Sequence, residues 1–96
     1  SRLEMGREVL IAAYAYMVAG GNHVVDDPEQ PVIRQGTVSK GGITVDDGSW
    51  IGARVTVLDG VHIGAGVVLG AHALATRDIP PRTIAYGIPA KIVRHR

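Results

Sequence analysis

Between Val45 and Pro80 the chain divides into six consecutive hexads, "VDDGSW", "IGARVT", "VLDGVH", "IGAGVV", "LGAHAL" and "ATRDIP". Their first places hold Val45, Ile51, Val57, Ile63, Leu69 and Ala75, and their fifth places hold Ser49, Val55, Val61, Val67, Ala73 and Ile79. A repeat this regular constrains the fold more than any other feature of the chain. Glycine recurs at the second place (Gly52, Gly64, Gly70) and at the fourth (Gly48, Gly60, Gly66), which marks turns at fixed offsets. A helix needs apolar residues every three or four positions, and each internal glycine costs it about 1 kcal/mol relative to alanine. An antiparallel meander alternates with period two. Period six instead fits short strands joined by tight corners, with two side chains of each hexad pointing inward. Three such faces close a triangular coil, and successive coils stack as parallel strands about 4.8 Å apart.

The same register extends upstream through "MGREVL", "IAAYAY" and "MVAGGN", with Met5, Ile11 and Met17 in first places and Val9, Ala15 and Gly21 in fifth places. His23 would take the next first place. Met5 and Val45 are not separated by a multiple of six, so the chain must leave the prism near His23 and return out of phase. The expected organisation is therefore one all-β domain over residues 1–96: a coil at 3–22, an extruded loop at 23–42, coils at 43–80 and a tail at 81–96. That makes about three coils. Leu3 already occupies a fifth place, so either an amino-terminal part is missing or self-association buries the open end.

Composition narrows the chemistry. The formal charge of +1 argues against a general polyanion binder, and the absence of cysteine excludes disulfides and thiolate metal sites. The longest apolar run, "VLIAAYAYMVAGG", is shorter than the roughly 20 residues that span a bilayer. No basic segment leads into an apolar stretch and cleavage site as in a signal peptide, so a soluble, cytoplasmic protein is expected.

The stretch "WIGARVTVLDGVHIGAGVVLGAHALATRDIPPRTIAYGIPAKIVR" resembles the carboxy-terminal half of the bacterial hexapeptide-repeat O-acetyltransferases, and "GGNHVVDDPEQPVIRQG" resembles their active-site loop. That group includes galactoside, maltose and exopolysaccharide acetyltransferases, and a xenobiotic branch acting on streptogramin antibiotics. The resemblance covers about residues 3 to 95. It implies a left-handed parallel β-helix, an exception to the usual right-handed crossover. It also implies a homotrimer, with acetyl-CoA as co-substrate and transfer of the acetyl group to a hydroxyl, here of a sugar or saccharide-like acceptor. Alternatives are a truncated, non-catalytic trimer module and a streptogramin-type O-acetyltransferase.

A hydroxyl is a weak nucleophile near neutral pH, so attack on a thioester needs a general base, and histidine has a suitable unperturbed pKa. His23 matches the family's catalytic histidine in "NH"; otherwise Asn22 and His23 merely begin the loop. His62 sits in an outward sixth place, His72 at a corner and His95 in the tail, all read as surface or structural. The related γ-class carbonic anhydrases would need two histidines separated by four residues and a third; no such set exists, so no metal site is expected. One of Asp26, Asp27 and Glu29 could orient His23, although a solvated loop held by Asx turns and prolines is the favoured reading.

The resemblance assigns the cofactor side as well. Trp50, in an outward sixth place, either walls the reacting end of the substrates or anchors a subunit interface. Ala53 and Ala71, at corners one coil apart, would offer backbone N–H groups to the pantetheine arm. Thr76, Arg77, Lys91 and Arg94 match the positions near the CoA nucleotide. Residues 77–96 carry Arg77, Arg82, Lys91, Arg94 and Arg96 against one acid, Asp78, which suits phosphates. The X–Pro bonds of "IPP" are candidates for a cis peptide.

Overall fold

The computed structural model describes residues 2–20 and 22–96 and shows the prism that the hexads demand. Its first face stacks β1 (Leu3–Met5), β6 (Ile43–Val45) and β9 (His62–Ile63). The third stacks β3 (Tyr16–Val18), β8 (Thr56–Leu58) and β11 (Leu74–Ala75). The second runs β2 (Leu10–Ile11), β7 (Trp50–Ile51), β10 (Val68–Leu69) and β12 (Thr83–Tyr86), all parallel, and ends in antiparallel β13 (Lys91–His95). Only the loop departs from this scheme, with β4 (Asn22–His23) pairing antiparallel to β5 (Thr37–Val38) around a 3-10 turn at Val32–Arg34.

All twelve first- and fifth-place residues of the six hexads are buried, from 0% exposed at Ile51, Val55, Val57, Ile63, Val67 and Ala75 to 5% at Ile79. All of them but Ser49 form one continuous hydrophobic core with Ile43 and Ala85. The buried polar side chains are bonded within it: Ser49 Oγ donates to the Gly64 carbonyl at 2.9 Å and Thr83 Oγ1 to that of Pro80 at 2.8 Å. In the first coil Val9, Ala15 and Met17 pack on the core, but Met5 and Ile11 are each 41% exposed because no coil covers them. Gly21 lies outside the described residues.

The ladder gives the register directly. Met5 pairs with Val45, Val45 with Ile63, and Ile63 with Ile79. Ile79 therefore occupies a first place, two residues earlier than an unbroken hexad count allows, and not the fifth place expected for it. The corner before it is shortened, and the Asp78 carboxylate accepts the His62 N–H at 2.8 Å across that corner. Residues 83–86 then extend the second face by one more strand. The cis peptide is at Ile88–Pro89, between β12 and β13, and not in "IPP".

Two kinds of glycine hold the corners. At the fourth place the backbone is left-handed, as at Gly66 with φ +66°. At the second place the requirement is space: a Cβ on Gly52 would lie 2.7 Å from the Leu69 carbonyl oxygen of the next coil. Glu8, Tyr14, Arg54 and His72 adopt the left-handed conformation at fourth places too, with φ between 56° and 67°.

Candidate active site

The third face has two edges, and the expected site residues divide between them. At its exit edge the chain leaves β3 for the loop and β4 carries His23 outward on an exposed hairpin. The Val24 N–H donates to the Gly36 carbonyl at 3.0 Å, extending that pairing toward the loop. Thr76 and Arg77, both exposed, follow β11 at this same edge. At the entry edge lie the corners of Ala53, half-buried, and Ala71, exposed. Thr76 and Arg77 thus stand across the third face from the two alanines.

The entry-edge corners have free donors. The Ala53 carbonyl and the following N–H groups are engaged, with Arg54 N–H donating to Ala13 O at 3.0 Å and His72 N–H to Ala53 O at 2.8 Å. Among the described residues, neither the Ala53 nor the Ala71 N–H finds an acceptor in the chain. An unpaired backbone donor at a surface corner is available to a ligand carbonyl. Arg54 lies over the Tyr14 ring at 5.0 Å at this edge. Arg54 carries no expectation in the sequence; a cation in a fourth place that glycine fills at Gly48, Gly60 and Gly66 was the available signal.

Trp50 is 52% exposed on the outer surface of the second face. The ladder sets it in one row with Leu10, Val68, Ile84 and, through β13, Arg94. Lys91 pairs with Tyr86 at the other end of β13, and Gly70 leaves room for the Tyr86 side chain, whose Cβ would lie 2.9 Å from an added Cβ. Lys91 and Arg94 are exposed and, like Arg77, have no carboxylate partner among the described residues. Such groups suit phosphate oxygens.

None of the loop carboxylates meets His23. Asp27 Oδ1 accepts the Glu29 N–H at 2.9 Å, an Asx turn, and Gln35 fastens the rest. Gln35 Nε2 donates to the carbonyls of Asp27 at 2.9 Å and Gln30 at 2.8 Å, while its Oε1 accepts the Asp27 N–H at 3.1 Å. The acidic lobe is therefore built around an amide, and among the described residues no carboxylate is bonded to the imidazole of His23. His62 does have such a partner, Asp46 Oδ2 at 2.7 Å from Nε2, but both side chains are solvent-exposed on the first face. Among the described residues no cluster of three metal-ligating side chains occurs.

Comparison with known proteins agrees with this architecture. Residues 42–77 match the family model for the bacterial transferase hexapeptide (six repeats). The chain is 40% identical over 94 residues to Rv3034c of Mycobacterium tuberculosis, named a probable acetyltransferase, covering 98% of this chain and 31% of that protein. Across three such relatives the chain spans 25–31% of their length. A galactoside acetyltransferase in complex with coenzyme A superposes with a TM-score of 0.85 at 32% identity, over 97% of this chain and 44% of the other. AntD, an N-acyltransferase from Bacillus cereus solved with dTDP and coenzyme A, shares the fold at a TM-score of 0.80 and 23% identity, over 98% and 52% of the respective chains. By repeat, register and likeness, the chain is a left-handed parallel β-helix of the bacterial transferase hexapeptide kind, similar over nearly its whole length to proteins named acetyltransferases.

Proposed function

We propose that this chain is the β-helical part of an acetyl-CoA-dependent O-acetyltransferase acting on a hydroxyl of a sugar or saccharide-like acceptor, with His23 as general base. The observation that carries this reading is the exposed His23, whose side chain has no partner among the described residues, on a prism that shares 32% identity with a coenzyme A-bound galactoside acetyltransferase. In the reaction an imidazole nitrogen takes the acceptor hydroxyl proton as the oxygen bonds to the thioester carbonyl carbon. The carbon–sulfur bond breaks and CoA leaves as the thiol, receiving the proton back. The Ala53 and Ala71 N–H groups fit the amide-rich arm of CoA, while Lys91, Arg94, Thr76 and Arg77 fit its phosphorylated end. Trp50 fits a wall of the same groove. Because these groups lie on different edges and faces of one prism, the reading includes a homotrimer in which neighbouring prisms complete each site. Dependence on acetyl-CoA also fits a cytoplasmic location.

Turnover of acetyl-CoA with a panel of saccharide acceptors tests the assignment. His23→Ala is expected to lower kcat by about 10²- to 10⁴-fold with KM for acetyl-CoA unchanged. Undiminished turnover in the variant refutes the role of His23, and a stable monomer in light scattering refutes the shared site. A second reading, a trimer module that binds CoA without turnover, is favoured by the small share of the relatives' length that the chain spans.

A further inference from the structure

The loop that carries His23 rejoins the prism at Lys40–Ile43, beside a buried carboxylate for which the reaction has no use. Asp59 is 6% exposed. One of its oxygens accepts the Gly42 N–H and the other the Lys40 N–H, each at 2.8 Å. A carboxylate takes both donors because it has acceptors on both oxygens and no donor of its own. Backbone bonds nearby hold the last residues of this return. Gly60 N–H donates to the Gly42 carbonyl at 2.8 Å and Ile43 N–H to the Arg2 carbonyl at 2.8 Å. A Cβ on Gly60 would lie 2.8 Å from Lys40 Cβ, so the return is also seated closely on that corner. Lys40 itself is tied down through Asp59, and Lys40 is three residues from Thr37, whose ladder partner is His23.

We propose that Asp59 is a positioning residue for the His23 hairpin: its carboxylate fixes where the loop re-enters the prism and thereby where the imidazole stands relative to the groove. The catalytic consequence rests on His23 being the base. Asp59 touches no reacting atom. Asp59→Asn keeps the shape but sets an NH2 group against one of the two N–H donors, which frees Lys40 and the chain before it.

Hydrogen exchange and kinetics on the intact chain test the proposal together. In Asp59→Asn, exchange is expected to quicken at residues 37–42 and 22–24 while β7 and β10 stay protected. A displacement of about 1 Å at a reacting group can cost on the order of 100-fold, so kcat is expected to fall about 10- to 100-fold with KM for acetyl-CoA within twofold. Two glycines inserted between Val38 and Ser39 keep Asp59 and both of its bonds but lengthen the tether, and are expected to lower kcat similarly. Unchanged exchange at residues 22–24 and 37–42 overturns the proposal. So does a uniform loss of protection that includes β7 and β10, which makes Asp59 a general structural carboxylate, or full kcat in the insertion variant. A wild-type chain without turnover overturns the proposed acetyl transfer instead, and the exchange arm still decides whether Asp59 anchors the hairpin.

Discussion

Gly52→Ala tests the packing logic of the coils with a single methyl group. The added Cβ would stand 2.7 Å from the Leu69 carbonyl oxygen, 2.9 Å from the Ala71 nitrogen and 3.1 Å from the Gly70 carbonyl carbon, all backbone atoms. That oxygen is also the acceptor of the Gly52 N–H, at 2.9 Å. Relief of the clash means a retreat from 2.7 Å to the 3.4 Å of ordinary contact, about 0.7 Å. The same retreat stretches the hydrogen bond past the roughly 3.2 Å limit of a good N–H···O contact. A buried backbone pair broken this way costs about 1–3 kcal/mol, and overpacking adds about 1–3 kcal/mol when the surroundings resist. Partial relaxation overlaps the two, so about 2–4 kcal/mol is expected. For a domain of this size each kcal/mol moves Tm by about 4–8 °C, which puts the shift at roughly 10–30 °C. Circular dichroism melts at one fixed protein concentration measure it, since association alters Tm by mass action. Gly48→Ala is the control: a Cβ there meets nothing within 4 Å, but φ is +71°, so only the left-handed strain of about 1–2 kcal/mol applies. A Gly52→Ala melt within 2 °C of wild type, or one less affected than Gly48→Ala, would show that the second-place glycines are not set by the approach of the next coil.

Two further outcomes follow from the site and its surroundings. Gln35→Ala removes three hydrogen bonds that all lie within the acidic lobe, so limited proteolysis between Asp27 and Arg34 is expected to accelerate while the melt moves by only about 1 kcal/mol equivalent, and a protease-resistant lobe contradicts the role given to Gln35. Asp46→Asn removes the His62 partner, but both side chains are about half exposed, at 52% and 40%, so urea unfolding at neutral pH is expected to change by less than about 1 kcal/mol.

The prism was legible because its period is a covalent property of the chain: one inward pair every six residues leaves the same mark whether or not the coil has formed. What escaped was set by contacts between distant residues. Ile79 reads as a fifth-place residue until its ladder partner, Ile63, is known, since the shortened corner is set by contacts with the coil before it, Asp78 to the His62 N–H and the Ile79 N–H to the His62 carbonyl. Left-handed backbone at Gly66 follows from the residue type, whereas Arg54 and His72 are held there by bonds to Ala13 and Ala53 one coil away. The loop shows the same limit. "NH" marks its start, but that Gln35 staples the lobe and Asp59 anchors its return depends on which backbone groups come within reach.

Those anchors bear on why the candidate site is spread as it is. A parallel β-helix repeats each corner type along one edge, so free amides such as those of Ala53 and Ala71 line up where a long ligand can run beside them. An insertion cannot project from that edge without interrupting the row. The loop leaves from the other edge of the third face, and the repeat resumes after it in the same ladder, with Met17 paired to Val57. The proposed base on one edge and the amide row on the other would suit the proposed groove between two prisms packed side by side, where each copy contributes a different edge. On this view the hairpin must hold its position against a neighbouring prism without leaning on its own. A buried carboxylate fastening its return to the coil provides that rigidity where exposed side chains would not.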